Sequence, residues 1–168
     1  MKVIFLDFDG VLNSAASFGY EERFRDRNPN KVLGPVNQTL CNVCTSNFQL
    51  ILEHFPEVKV VISSTWRNLF PLDWLRNHLA GYGIDSSRVI DKTPGTDWGY
   101  RGEEIQAWLD KHPEVKTYVV LDDNEIGGGI PDERIIKTSW NVGLTLPHVR
   151  EVIQKLGGHK SKHELRME

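Results

Sequence analysis

The stretch Val3-Ile4-Phe5-Leu6-Asp7-Phe8-Asp9-Gly10-Val11-Leu12 decides the reading of this chain. Four apolar residues of β type run without alternation, as expected of a parallel strand buried on both faces. The run then delivers two carboxylates, spaced i and i+2, before a glycine turns the chain. In a parallel α/β sheet the carboxyl end of a strand is where ligands bind. Side chains two apart share a strand face, but the pair can diverge where strand gives way to loop. One acid can then meet a metal while the other faces a leaving group. Taken alone, an Asp-x-Asp pair equally fits a solvated strand end.

Further apolar runs lie outward from it: Val58-Lys59-Val60-Val61-Ile62, Tyr118-Val119-Val120-Leu121 and the weaker Arg134-Ile135-Ile136-Lys137. Helical stripes fill the intervals. Leu40, Val43, Cys44, Phe48, Ile51, Leu52 and Phe55 form one face, followed by Pro56. Leu72, Leu75 and Leu79 form a second, and Ile105, Trp108 and Leu109 a third; Leu146, Val149, Val152, Ile153 and Leu156 form the last, closed by Gly157-Gly158. Strands alternating with helices predict an α/β fold with a mainly parallel sheet. Residues 1–158 read as a single domain, with the polar stretch 14–36 as a flap or minimal cap and 159–168 as a charged tail.

Two more strand ends carry chemistry. Val120-Leu121-Asp122-Asp123-Asn124 is again an apolar run ending in acids. Two acidic strand ends in one parallel sheet bring like charges together, which is costly unless a cation neutralises them. Oxygen ligands of this kind favour Mg²⁺, which takes substrate phosphate as a further partner. In Val60-Val61-Ile62-Ser63-Ser64-Thr65-Trp66-Arg67, hydroxyls and backbone amides at a strand end suit a phosphoryl group, although a serine cluster there also suits a turn or helix cap.

Together and in this order, the three motifs resemble the haloacid dehalogenase superfamily of phosphohydrolases. Asp7-Phe8-Asp9-Gly10-Val11-Leu12 matches its first motif, Ser63 its second and Asp122-Asp123 its fourth, over residues 3 to about 145. The resemblance implies a Rossmann-like three-layer sandwich with minimal or no cap. It also implies two-step phosphoryl transfer, with Asp7 as nucleophile and Asp9 as proton donor and then acceptor. Mg²⁺ would be held by Asp7, the backbone carbonyl of Asp9, Asp122 and Asp123, and the phosphate by Ser63, Ser64 and a third-motif cation. That cation is normally a lysine; here Arg101 opens the corresponding helix, and Lys92 is the rival. Leu6 to Asn13 together with Ile62 to Arg67 also looks like the branch associated with RNA-repair proteins. Polynucleotide 3′-phosphatases likewise place an arginine soon after the second-motif serine, comparable to Arg67, which could touch substrate or brace the strand end. RNA or DNA end phosphates are therefore the expected substrates, with two alternatives: a small-molecule (nucleotide or sugar) phosphatase and a non-catalytic phosphate-binding module.

Composition narrows the rest. In 168 residues, 39% are hydrophobic and 26% charged, enough for one core without staples. A net charge of −3 argues against a generic polyanion binder. No apolar run reaches the length of a membrane span, and the start of the chain does not read as a signal peptide. Two cysteines suit a reducing, cytoplasmic setting. Cys41-Asn42-Val43-Cys44 falls inside a helical stripe and lacks a second ligand pair, so it reads as packing. Asp91-Lys92-Thr93-Pro94-Gly95-Thr96 looks like the phosphorylation motif of cation pumps with a proline inserted, and reads as a loop. Gly127-Gly128-Gly129 lacks the Gly-Lys-Ser/Thr ending of a nucleotide loop and reads as a mobile segment beside the site.

Overall fold

A computed structural model of the chain describes residues 1–17, 38–95 and 100–157. Within them lie strands β1 (Lys2–Leu6), β2 (Lys59–Ile62), β3 (Val89–Lys92), β4 (Thr117–Asp122) and β5 (Ile135–Lys137). All pair in parallel, in the order β3-β2-β1-β4-β5. The helices are α1 (Asn42–His54), α2 (Trp66–Leu69), α3 (Leu72–Ala80), α4 (Arg101–Leu109) and α5 (Leu146–Gly157).

The continuous apolar runs are explained by two cores, one on each face of the sheet. Ile4, Leu6, Val60, Ile62, Val119 and Leu121 pack with residues of α1, α3 and α5. Val3, Phe5, Val61 and Val120 pack on the other face against Ile105 and Trp108 of α4. Helices on both faces of a parallel sheet make the three-layer α/β sandwich expected.

Several details differ from the sequence reading. Asp91 and Lys92 are not loop but the end of β3, the edge strand, where a register shift between Val60 and Val61 lets charged residues pair with β2. Edge strands tolerate such charge, so hydrophobicity alone does not reveal them. Val43 and Leu146, placed on apolar stripes, are 68% and 51% exposed. Gly127 and Gly128 approach the start of α4 closely: a Cβ on Gly102 would lie 1.9 Å from the Gly127 carbonyl oxygen, a Cβ on Gly128 would lie 2.3 Å from the Glu103 nitrogen, and Gly102 N–H bonds the Ile126 carbonyl at 3.0 Å. All three glycines have positive φ, and Gly127 and Gly128 serve the close approach of two backbones.

Between β2 and α4, the described residues form α2, α3 and β3, which cross back to the sheet and add no cap. Most of the predicted flap 14–36, all of it beyond residue 17, and the tail 159–168 lie outside the described residues. No helix among the described residues is long and apolar enough to cross a membrane.

Candidate active site

The parallel register places one residue from each of four strands side by side at the carboxyl edge. Asp7 N–H bonds the Leu121 carbonyl at 3.0 Å, Ser63 N–H the Leu6 carbonyl at 3.0 Å, and Thr93 N–H the Ile62 carbonyl at 2.9 Å. The row therefore runs Thr93, Ser63, Asp7, Asp122. Two residues earlier, Val61, Phe5 and Val120 face α4, so strand alternation turns the row toward α4 as well.

Arg101, the first residue of α4, meets this row. Its Nη1 lies 2.7 Å from Asp7 Oδ2 and also donates to Asp122 Oδ2. The other oxygens are held by backbone, with Phe8 N–H on Asp7 Oδ1 at 2.8 Å and Asn124 N–H on Asp122 Oδ1 at 2.9 Å. Asp7 is 2% exposed and Asp122 fully buried. Burial, and then the neighbouring Asp122, push the Asp7 carboxyl up to about 6 against the lowering pull of Arg101 and the Phe8 N–H. Asp123 is raised too, by burial and then by Asp7. Burial works against the Arg101 charge, but Asp7 and Asp122 outweigh it and hold the guanidinium more firmly protonated.

One arginine thus serves three acids. Asp7, Asp122 and Asp123 each offer an oxygen, all within 4.8 Å of one another. An all-oxygen set that remains short of positive charge fits a hard divalent cation such as Mg²⁺.

Asp9 diverges from this cluster, as the break after the strand allows. Gly10 turns the chain at φ +75°, and a Cβ there would lie 2.2 Å from Asp123 Cγ, so the first and fourth motifs approach through a glycine. Asp9 Oδ1 accepts from Asn13 Nδ2 at 2.8 Å and Oδ2 from Trp66 Nε1 at 2.9 Å.

The remaining expected residues divide. Among the described residues, Ser63 Oγ is buried with no hydrogen-bond partner, and so is Thr93 Oγ1 beside it in the row. Ser64 Oγ accepts from Trp66 N–H at 3.3 Å and so behaves as a turn residue. Arg67 is 5% exposed and has the bracing role. Its Nη1 donates to the Ser63 and Ser64 carbonyls at 2.7 and 2.8 Å, and Nη2 pairs with Glu104 of α4. Lys92 Nζ donates to the carbonyls of Arg67 at 2.7 Å and Phe70 at 3.2 Å, closing the end of α2, whereas Arg101 reaches Asp7.

Sequence reasoning passed over Asn13, Trp66, Thr93 and Glu104. Glu104 had a usable signal, since it lies one helical turn beyond Arg101. The contacts of Trp66 and Thr93 come from other strands and carried none.

Neither a curated protein nor a solved structure matches the chain. A family model does: that of the HAD domain in Swiss Army Knife RNA repair proteins, over residues 3–149. These residues span every motif from the Asp7 strand to the last helix, and the chain therefore belongs to this family of the haloacid dehalogenase superfamily.

Proposed function

We propose that the protein is a Mg²⁺-dependent phosphohydrolase that works through an aspartyl-phosphate on Asp7. The observation that carries this reading is the setting of Asp7: a buried carboxylate at a parallel strand end, oriented by Arg101 and grouped with Asp122 and Asp123. Mg²⁺ held by Asp7, Asp122 and Asp123, with the Asp9 backbone carbonyl, would neutralise the acids and the charge that develops on the phosphoryl oxygens.

An Asp7 carboxylate oxygen attacks phosphorus. The bond to the leaving oxygen breaks with its electron pair, and the Asp9 carboxyl gives that oxygen a proton. Water then attacks the phosphorus of the intermediate and passes a proton to the Asp9 carboxylate. The bond between Asp7 and phosphorus breaks, which restores the Asp7 carboxylate and releases inorganic phosphate. Ser63 and Arg101 cradle the phosphoryl group. An unmade hydrogen bond on a buried hydroxyl costs about 1–3 kcal/mol, and a phosphoryl oxygen at Ser63 would recover it.

The substrate proposed is a terminal phosphate on RNA or DNA, supported by the family's association with RNA repair and by the lack of a cap between β2 and α4 among the described residues. A cytoplasmic location goes with this reading and suits Cys41 and Cys44, which both carry thiols. Release of phosphate from an aryl phosphate tests the chemistry. Activity should require Mg²⁺ and fall to background in Asp7→Asn. Full turnover in that variant, or in excess chelator, would overturn the reading.

A further inference from the structure

We propose that Trp66 is a positioning residue that, with Asn13, sets the direction in which Asp9 presents its carboxyl group to the reacting atoms. The inference rests on the reading of Asp9 as the proton carrier.

The geometry is specific on both sides of Asp9. An indole N–H can only donate, and that of Trp66 lies 2.9 Å from Oδ2. Asn13 is fully buried; its Oδ1 accepts from Gly10 N–H at 3.1 Å, which leaves Nδ2 to face Asp9 Oδ1 at 2.8 Å. The two donors occupy one lone-pair direction on each oxygen. The remaining directions are left for the proton in transit and for substrate or water.

Trp66 is itself held in place. It is 1% exposed, and its ring meets Phe8 edge-on at 5.1 Å between centroids. Behind it the aromatic residues Phe70, Trp74 and His78 continue at intervals of four along the chain. Phe70 and Trp74 stack at 3.9 Å, Trp74 and His78 at 4.8 Å, and Trp66 lies 5.8 Å from Phe70 and 5.7 Å from His78. Phe70, Trp74 and His78 stack into a column, and Trp66 packs against it with its ring tilted by 52° to Phe70 and 37° to His78, so the column braces Trp66. Replacing Trp66 by a ring without N–H would keep most of this packing and free one oxygen of Asp9 to rotate.

The test is a double-mutant cycle on p-nitrophenyl phosphate, with Trp66→Phe made in the wild type and in Asp9→Asn. We expect Trp66→Phe to lower kcat about tenfold, in line with a lost charge-assisted hydrogen bond, with KM nearly unchanged. In Asp9→Asn the same change should cost less than about twofold, because the group it orients is gone. An alkyl phosphate, whose poor leaving group depends more on a proton, should lose more from Trp66→Phe than the nitrophenyl ester does. Equal losses in both backgrounds would show that Trp66 acts through packing alone and would overturn the proposal. NMR of the indole N–H protons gives a check that needs no folded Trp66 variant. The Trp66 signal should move upfield in Asp9→Asn, and an unmoved signal would also overturn the proposal. An Asp9→Asn protein with full activity would remove the reading of Asp9 itself, and this inference with it.

Discussion

Arg101 shows at the scale of one residue how the site is charged. It enters at the first turn of α4 and bridges Asp7 and Asp122, while Lys92 spends its ammonium on the last carbonyls of α2. A planar guanidinium can meet a carboxylate and a phosphate at once, which a lysine point charge does less well. Arg101→Ala should therefore lower kcat/KM by about 30- to 1,000-fold, the equivalent of 2–4 kcal/mol of transition-state stabilisation. Lys92→Ala should change it by less than about threefold and appear instead as a loss of about 1 kcal/mol in denaturant unfolding. Steady-state kinetics of the two variants decide this, and a reversed ranking would assign the third-motif role to Lys92.

At the scale of elements, Arg67 and Glu104 tie α2 to α4. The pair is buried, with both side chains 4% exposed, and Arg67 also holds the two carbonyls that follow β2. The turn carrying Ser63 is thus fixed to the helix carrying Arg101. Burial lowers the Arg67 basicity and Glu104 opposes the change. Glu104→Gln leaves a buried guanidinium without its counter-charge and should destabilise the fold by about 3–5 kcal/mol. The double change Arg67→Met with Glu104→Leu should recover much of that stability, since apolar residues often replace a buried ion pair without loss. Activity should stay low in the double variant, because the Ser63 and Ser64 carbonyls lose their donor. Urea midpoints measured beside phosphatase rates separate the two effects.

At the scale of the whole molecule, the strand order places the acids at the point where the chain reverses direction across the sheet. From β1 the chain moves to β2 and β3 on one side, then returns to β4 and β5 on the other. Open α/β sheets bind their ligands at such a switch point, which here lies between the ends of β1 and β4. Under the proposed function the three acids beside Arg101 hold Mg²⁺, which at a hundred times its Kd should stabilise the fold by about 2.7 kcal/mol. For a domain of this size that is a rise in Tm of about 5–10 °C. Thermal unfolding with and without Mg²⁺ should show the rise in the wild type and its loss in Asp122→Asn. Between β2 and α4 the described residues add no cap, so under the proposed function that stretch offers small substrates no remote contacts that could be used to lower the barrier. Oligonucleotides with a terminal phosphate should then exceed mononucleotides in kcat/KM, by a margin that shrinks as salt rises. Equal or better rates on mononucleotides at low salt would favour a small-molecule substrate.

Local sequence determined the elements whose signals lie within a few residues of each other. The apolar runs of β1, β2 and β4, the stripes of α1, α4 and α5, and the acids ending β1 and β4 were legible because burial on both faces demands continuous hydrophobicity. Arg101 was legible as a helix start. Only the tertiary structure decided between Arg101 and Lys92 as the partner of Asp7, paired Arg67 with Glu104, and made a strand of Asp91 and Lys92. It also brought Trp66 to Asp9 across 57 residues of chain. These outcomes depend on register and crossover, which set side chains from separate strands in one row, and no spacing along a single segment records that neighbourhood.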